Sequence, residues 1–113
     1  MSDGIIVAQL GDIPDGEAIK IEADVLGTVD DVAVFNDNGE LFALDDTCSH
    51  EKASLSEGWI EDGVIECPLH AGKFCLKSGS VLSMPATQDV FCHRVLLDGD
   101  NIRVVPNPDR LQS

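Results

Sequence analysis

Apolar positions along this chain come in short runs broken by Gly, Asp, Asn and Ser. Residues 4–10 form one such run and predict a first strand. A turn-rich loop, Gly11-Asp12-Ile13-Pro14-Asp15-Gly16, follows. Across residues 18–23, Ile19 and Ile21 alternate with Lys20 and Glu22, the period of a half-buried strand. Residues 31–35 and 41–44 flank Asn36-Asp37-Asn38-Gly39, and Asn-Gly is a strong hairpin signal. Trp59-Ile60 and Val64-Ile65 flank Glu61-Asp62-Gly63, a second hairpin. Residues 73–76 and 81–82 predict a third, residues 90–97 and 102–105 a fourth. Pro106-Asn107-Pro108 ends regular structure. No window keeps a helical period over three turns.

Short strands joined by Gly and Asp turns predict an all-β fold, an antiparallel sandwich or barrel. The chain reads as one domain, residues 1–113. Within it, a base formed by about residues 1–44 and 87–113 carries a smaller inserted β subdomain, about residues 45–86.

Composition narrows the classes of function. Apolar residues make up 43% and charged residues 25% of the 113, which argues against disorder. No run of 18 apolar residues exists to span a membrane. Met1-Ser2-Asp3-Gly4 lacks the features of a signal peptide, so the expected location is the cytoplasm, where thiols stay reduced. The net charge is −14, which disfavours nucleic acid and anionic membranes as partners. Twelve acids and one base, Lys20, fall in residues 1–47, a net −11.

The chemistry concentrates in two boxes. Cys48-Ser49-His50 is followed, sixteen residues later, by Cys67-Pro68-Leu69-His70. Two thiols and two imidazoles in mixed pairs have two readings. Zinc takes such a set tetrahedrally. In a Rieske [2Fe–2S] centre, two His replace two Cys on one iron. The finger order, both Cys before both His, is absent here, and the residues after His70 read as turn then strand. One Cys and one His per box suit two loops that each give a ligand to each iron. Cys48, His50, Cys67 and His70 are therefore the candidate ligands of one [2Fe–2S] cluster. A zinc-stabilised interaction module is the alternative.

The boxes, with Ala71-Gly72-Lys73-Phe74 after the second and Leu55-Ser56-Glu57-Gly58 between them, resemble the Rieske ferredoxins of bacterial multicomponent ring-hydroxylating dioxygenases, the biphenyl, benzene and toluene type. Gly79 and Met84-Pro85 fit the same pattern. The resemblance implies a Rieske fold with the cluster at the tip of its smaller part. It implies a cytoplasmic, monomeric electron carrier with no substrate turnover of its own. Its partners would be an NADH-dependent flavoprotein reductase and a terminal Rieske oxygenase acting on aromatic rings. A second electron-transfer family, the small subunit of assimilatory nitrite reductases, shares the Rieske pattern but does not always keep the ligands. No Gly-rich dinucleotide motif is present to bind flavin or nicotinamide here.

High-potential Rieske proteins, as a family, carry an extra Cys in each box, a Ser two residues after the second His and a Tyr four after it. Here Leu69, Gly72 and Phe74 occupy the corresponding positions, and the chain has no Tyr. Hydrogen bonds to the sulfurs raise the potential, so a value near the bottom of the roughly −150 to +300 mV Rieske span is expected. The segments expected at the tip, 48–54, 68–76 and 83–87, hold Glu51, Lys52 and Lys73, a net +1 on an acidic body. Leu69, Ala71, Met84 and Pro85 would then form a partly apolar docking rim. Gly58 and Gly72 are expected in tight loops, and Trp59 and Phe74 in the core of the small subdomain. Cys75 and Cys92 are expected as buried small apolar side chains, and His93 as a surface or satisfied strand residue.

Overall fold

A computed structural model of the chain describes residues 4–47, 53–68, 72–83 and 89–112. Its strands are β1 (Ile5–Gln9), β2 (Ala18–Ile21), β3 (Val32–Asp37), β4 (Glu40–Asp45), β5 (Trp59–Glu61), β6 (Val64–Glu66), β7 (Lys73–Cys75), β8 (Val81–Ser83), β9 (Cys92–Asp98) and β10 (Asn101–Val105). One helical turn, α1 (Ala23–Leu26), follows β2. All the pairings within the two sheets are antiparallel. The all-β expectation is met.

Six strands form one sheet in the order β1-β10-β9-β4-β3-β2, and four form a second in the order β5-β6-β7-β8. The large sheet is nearly closed. Both of its outer strands, β1 through Val7 and Ala8 and β2 through Ile21, reach one buried cluster with Val32, Val34, Ala43, Ile102 and Val104. Its other face packs on the small sheet. Ala33, Phe35 and Leu44 join Leu55, Ile65, Phe74 and Leu76 in a second cluster. Strand β3 is thus buried on both faces, which explains its unbroken apolar run Val32-Ala33-Val34-Phe35.

Local chemistry accounts for the connections. Asn38 and Gly39 both take positive φ, 55° and 89°, as a two-residue turn between Asp37 and Glu40 requires. Asp62-Gly63 repeats this between β5 and β6. Gly63 N–H donates to the Asp37 carboxylate, which ties the small hairpin to the large one. The sequence pattern carried β2 to Ala23, but the strand stops at Ile21. Asp31 Oδ1 accepts from Ala23 N–H at 2.8 Å and starts α1 instead.

Three side chains depart from expectation. Phe74 is fully buried, but Trp59 is 60% exposed. In β5 it is Ile60 that packs on the core, opposite Ile65, so Trp59 and Glu61 point outward. Cys75 and Cys92 are half-buried rather than fully buried. His93 is buried and satisfied by hydrogen bonds.

Candidate metal centre

Strand β4 leads through Asp46 and Thr47 into the first box. Thr47 and Ser54, on either side of the first box, pair as an isolated antiparallel bridge. Strand β6 leads directly into the second box. Cys67 N–H donates to the Gly72 carbonyl at 2.7 Å and closes that loop. A third connection leaves β8. Val81 N–H donates to Asp89 Oδ1 at 2.8 Å, and Val90 N–H to the Gly79 carbonyl at 2.9 Å. Ala53, Cys67 and Val90 border these three connections, and all three belong to the same buried cluster. The fold therefore brings the bases of the three loops to one place in the core.

Of the four candidate ligands, Cys67 is described, with 0% exposure. Cys48, His50 and His70 lie outside the described residues, as do Leu69, Ala71, Met84 and Pro85 of the expected rim. Among the described residues no group of three or more His, Cys, Asp or Glu is arranged to hold a metal. The residues present fit a [2Fe–2S] cluster in two respects. The buried Cys67 opens a loop whose ends are joined by a backbone hydrogen bond, and that loop carries His70. Its base shares a core with the base of the loop that carries Cys48 and His50.

Close backbone packing supports the second box from below. A Cβ at Gly58 would collide with the Glu66 carbonyl, one residue before Cys67. Gly58 is thus required for space, not for a positive φ, and a plain turn glycine does not account for it. On the outward face beside it, a cavity of about 230 Å³ is lined by Trp59, Glu61, Asp62, Val64, Glu66 and Lys73.

Charge is arranged around the first box in a way the sequence reading did not single out. Asp46 is 4% exposed, and both of its side-chain oxygens accept hydrogen bonds from the far side of the loop, from Ser56 N–H and Ser54 Oγ. Asp30 accepts from Thr47 N–H and Thr47 Oγ. The adjacent acids Asp45-Asp46 before the box were the available signal, but on charge alone they read as part of an acidic surface. The Cys75 thiol has its pKa lowered below the ordinary thiol value. A hydrogen bond from the Ser78 side chain, helped by the Ser78 and Lys77 backbone and the Lys77 charge, lowers its pKa against the opposing effect of burial.

Residues 4–106 match the Rieske [2Fe-2S] domain family. The chain is 42% identical over 99 residues to the 3-phenylpropionate/cinnamic acid dioxygenase ferredoxin subunit of Shigella boydii serotype 4, covering 87% of this chain and 89% of that one. The solved ferredoxin of carbazole 1,9a-dioxygenase from Nocardioides aromaticivorans IC177 superposes with a TM-score of 0.84 at 31% identity, over 94% of this chain and 100% of that one. A chain in the complex of reduced oxygenase and oxidized ferredoxin of carbazole 1,9a-dioxygenase gives a TM-score of 0.80 at 31% identity, over 88% and 90% of the two chains. The ligand boxes, the paired sheets that hold their bases and these likenesses agree: the chain belongs to the Rieske [2Fe-2S] domain family.

Proposed function

We propose that this chain is the ferredoxin component of a multicomponent aromatic-ring oxygenase. It is a low-potential one-electron carrier with no substrate turnover of its own. Cys48, His50, Cys67 and His70 hold the cluster, which when bound takes up and releases a single electron. The observation that carries the reading is Cys67, buried at the end of β6 in the core cluster that also receives Ala53 from the first-box loop. The 42% identity to a dioxygenase ferredoxin subunit supports the same role.

The chain's own residues contribute position and electrostatics. The base of the second box is braced by the Cys67–Gly72 hydrogen bond. Gly72 and Phe74 offer no hydroxyl to a cluster sulfur, which keeps the potential low. Each ligating imidazole would bind the cluster through one nitrogen, which leaves its second nitrogen available to a partner. An NADH-dependent flavoprotein reductase supplies the electron and a terminal Rieske oxygenase receives it. The existence of a solved oxygenase–ferredoxin complex for a chain of this fold supports the second partner. Docking uses the nearly neutral loop tip, and the acidic body steers the approach. The carrier works as a cytoplasmic monomer. Among the described residues no helix is long and apolar enough to cross a membrane.

Visible and EPR spectra of the purified protein test the cofactor. A red-brown protein, bleached by dithionite to give a rhombic low-g signal, is expected. A colourless protein holding stoichiometric zinc refutes the proposal. Reconstitution with a reductase and an oxygenase should then make NADH-driven ring hydroxylation depend on this chain.

A further inference from the structure

Asp46, two residues before the first box, holds residues 54–56 beyond it. Asp46 Oδ2 accepts from Ser54 Oγ–H at 2.6 Å, and Oδ1 accepts from Ser56 N–H at 2.9 Å. The Asp46 carbonyl accepts from Leu55 N–H at 2.7 Å. Ser54 Oγ also shares a hydrogen bond with Ser56 Oγ at 2.7 Å. The near flank is pinned in turn from the connection between α1 and β3. Asp46 N–H donates to the Asp31 carbonyl at 2.8 Å. Asp30 takes the Thr47 N–H at 3.0 Å and the Thr47 hydroxyl at 2.8 Å. Asp46 is 4% exposed, and no Lys or Arg among the described residues pairs with it.

Holding the loop needs acceptors, not charge. An amide oxygen would accept from Ser56 N–H, and an amide N–H could turn to Ser54 Oγ. A carboxylate placed here adds a negative charge, little screened by water, beside the loop that carries Cys48 and His50. Such a charge opposes the arrival of an electron nearby. We propose that Asp46 is the positioning residue of the first ligand box, stapling the two flanks of its loop and holding the reduction potential down through its buried charge. The inference rests on the Rieske reading of the boxes.

The test compares holoprotein variants with the wild type by protein-film voltammetry and by the first-order rate of cluster loss to a chelator. Asp46→Asn should keep the cluster and its EPR line shape while the midpoint potential rises. Ser54→Ala should lose the cluster several-fold faster at an unchanged potential. Asp46→Ala should do both, and if it does not fold, the other two variants decide the matter. A wild-type potential in Asp46→Asn overturns the charge role, because a merely structural residue would leave the potential alone. A wild-type rate of cluster loss in Ser54→Ala overturns the staple. A wild-type protein without a Rieske spectrum is a different failure, that of the family reading applied to these ligands.

Discussion

Asp45 on β4 and His93 on β9 meet in the interior at 2.8 Å, Oδ1 to Nε2, with side chains 5% and 0% exposed. The backbone N–H of Asn107 donates to His93 Nδ1 at 2.9 Å. That nitrogen therefore carries no proton, and the ring donates to Asp45 through Nε2–H. Arg110 Nε donates to Asp45 Oδ2 at 2.7 Å, and its guanidinium lies 4.6 Å over the Phe91 ring. One carboxylate thus joins β4, β9 and the C-terminal turn just below the first box.

Removing that carboxylate leaves a buried imidazole N–H and a half-buried guanidinium without their acceptor. Asp45→Ala should cost about 3 kcal/mol, at the lower end for breaking a buried pair. Asp45→Asn keeps an acceptor for His93 and should cost less. Urea denaturation measures both.

Two aromatic residues of the small sheet should respond differently. Phe74→Ala empties a fully buried site and should cost about 3–5 kcal/mol. Trp59→Ala should cost far less, about 0.5 kcal/mol, because most of the residue is exposed and it lies outside the core cluster. Trp59 is the single Trp of a chain without Tyr, so its emission should be strongly quenched by acrylamide in the folded protein.

Gly58 and Gly11 separate space from backbone freedom, since neither has a positive φ. Gly58→Ala drives a methyl into the Glu66 carbonyl, whereas nothing stands within 4 Å of the Cβ position at Gly11. Gly58→Ala should cost more than about 1 kcal/mol, and Gly11→Ala should fall within about 0.5 kcal/mol. Thermal melts of the two variants check the contrast.

The Ser78 hydrogen bond lowers the Cys75 pKa, so more thiolate is present at a given pH than in an ordinary thiol. Alkylation of Cys75 by iodoacetamide should outpace that of Cys92, with its pH–rate midpoint below the usual thiol value. Ser78→Ala should move that midpoint upward. Peptide mass spectrometry reads both sites.

Gly72→Ser combined with Phe74→Tyr supplies the two hydroxyl donors that this chain lacks. The midpoint potential should rise relative to the wild type, as hydrogen bonds to cluster sulfurs raise it. An unchanged potential in a folded, cluster-bearing double variant would show that the tuning lies elsewhere.

The linear chain already contained whatever depends on neighbours in sequence. Asn38-Gly39 and Asp62-Gly63 announce their turns because positive φ is a local demand. The spacing within each Cys/His box is likewise local, and it points to the metal chemistry and the family. What faces what was a matter for the fold. In Trp59-Ile60-Glu61 two bulky apolar residues are adjacent, and a strand must turn one of them outward. The pairing of Ile60 with Ile65, and of Ile65 with Phe74, sent Trp59 to solvent. Strand β2 ended early because Asp31, eight residues away, caps α1 at Ala23. The acids before the first box look like surface charge in a chain of net −14. Loop closure turned Asp46 into a staple across Ser54 and Ser56, and the β4–β9 pairing placed Asp45 against His93, 48 residues away. Short-range conformational preferences are written in adjacent residues. Burial and hydrogen-bond partnership across the chain exist only once the sheets have packed.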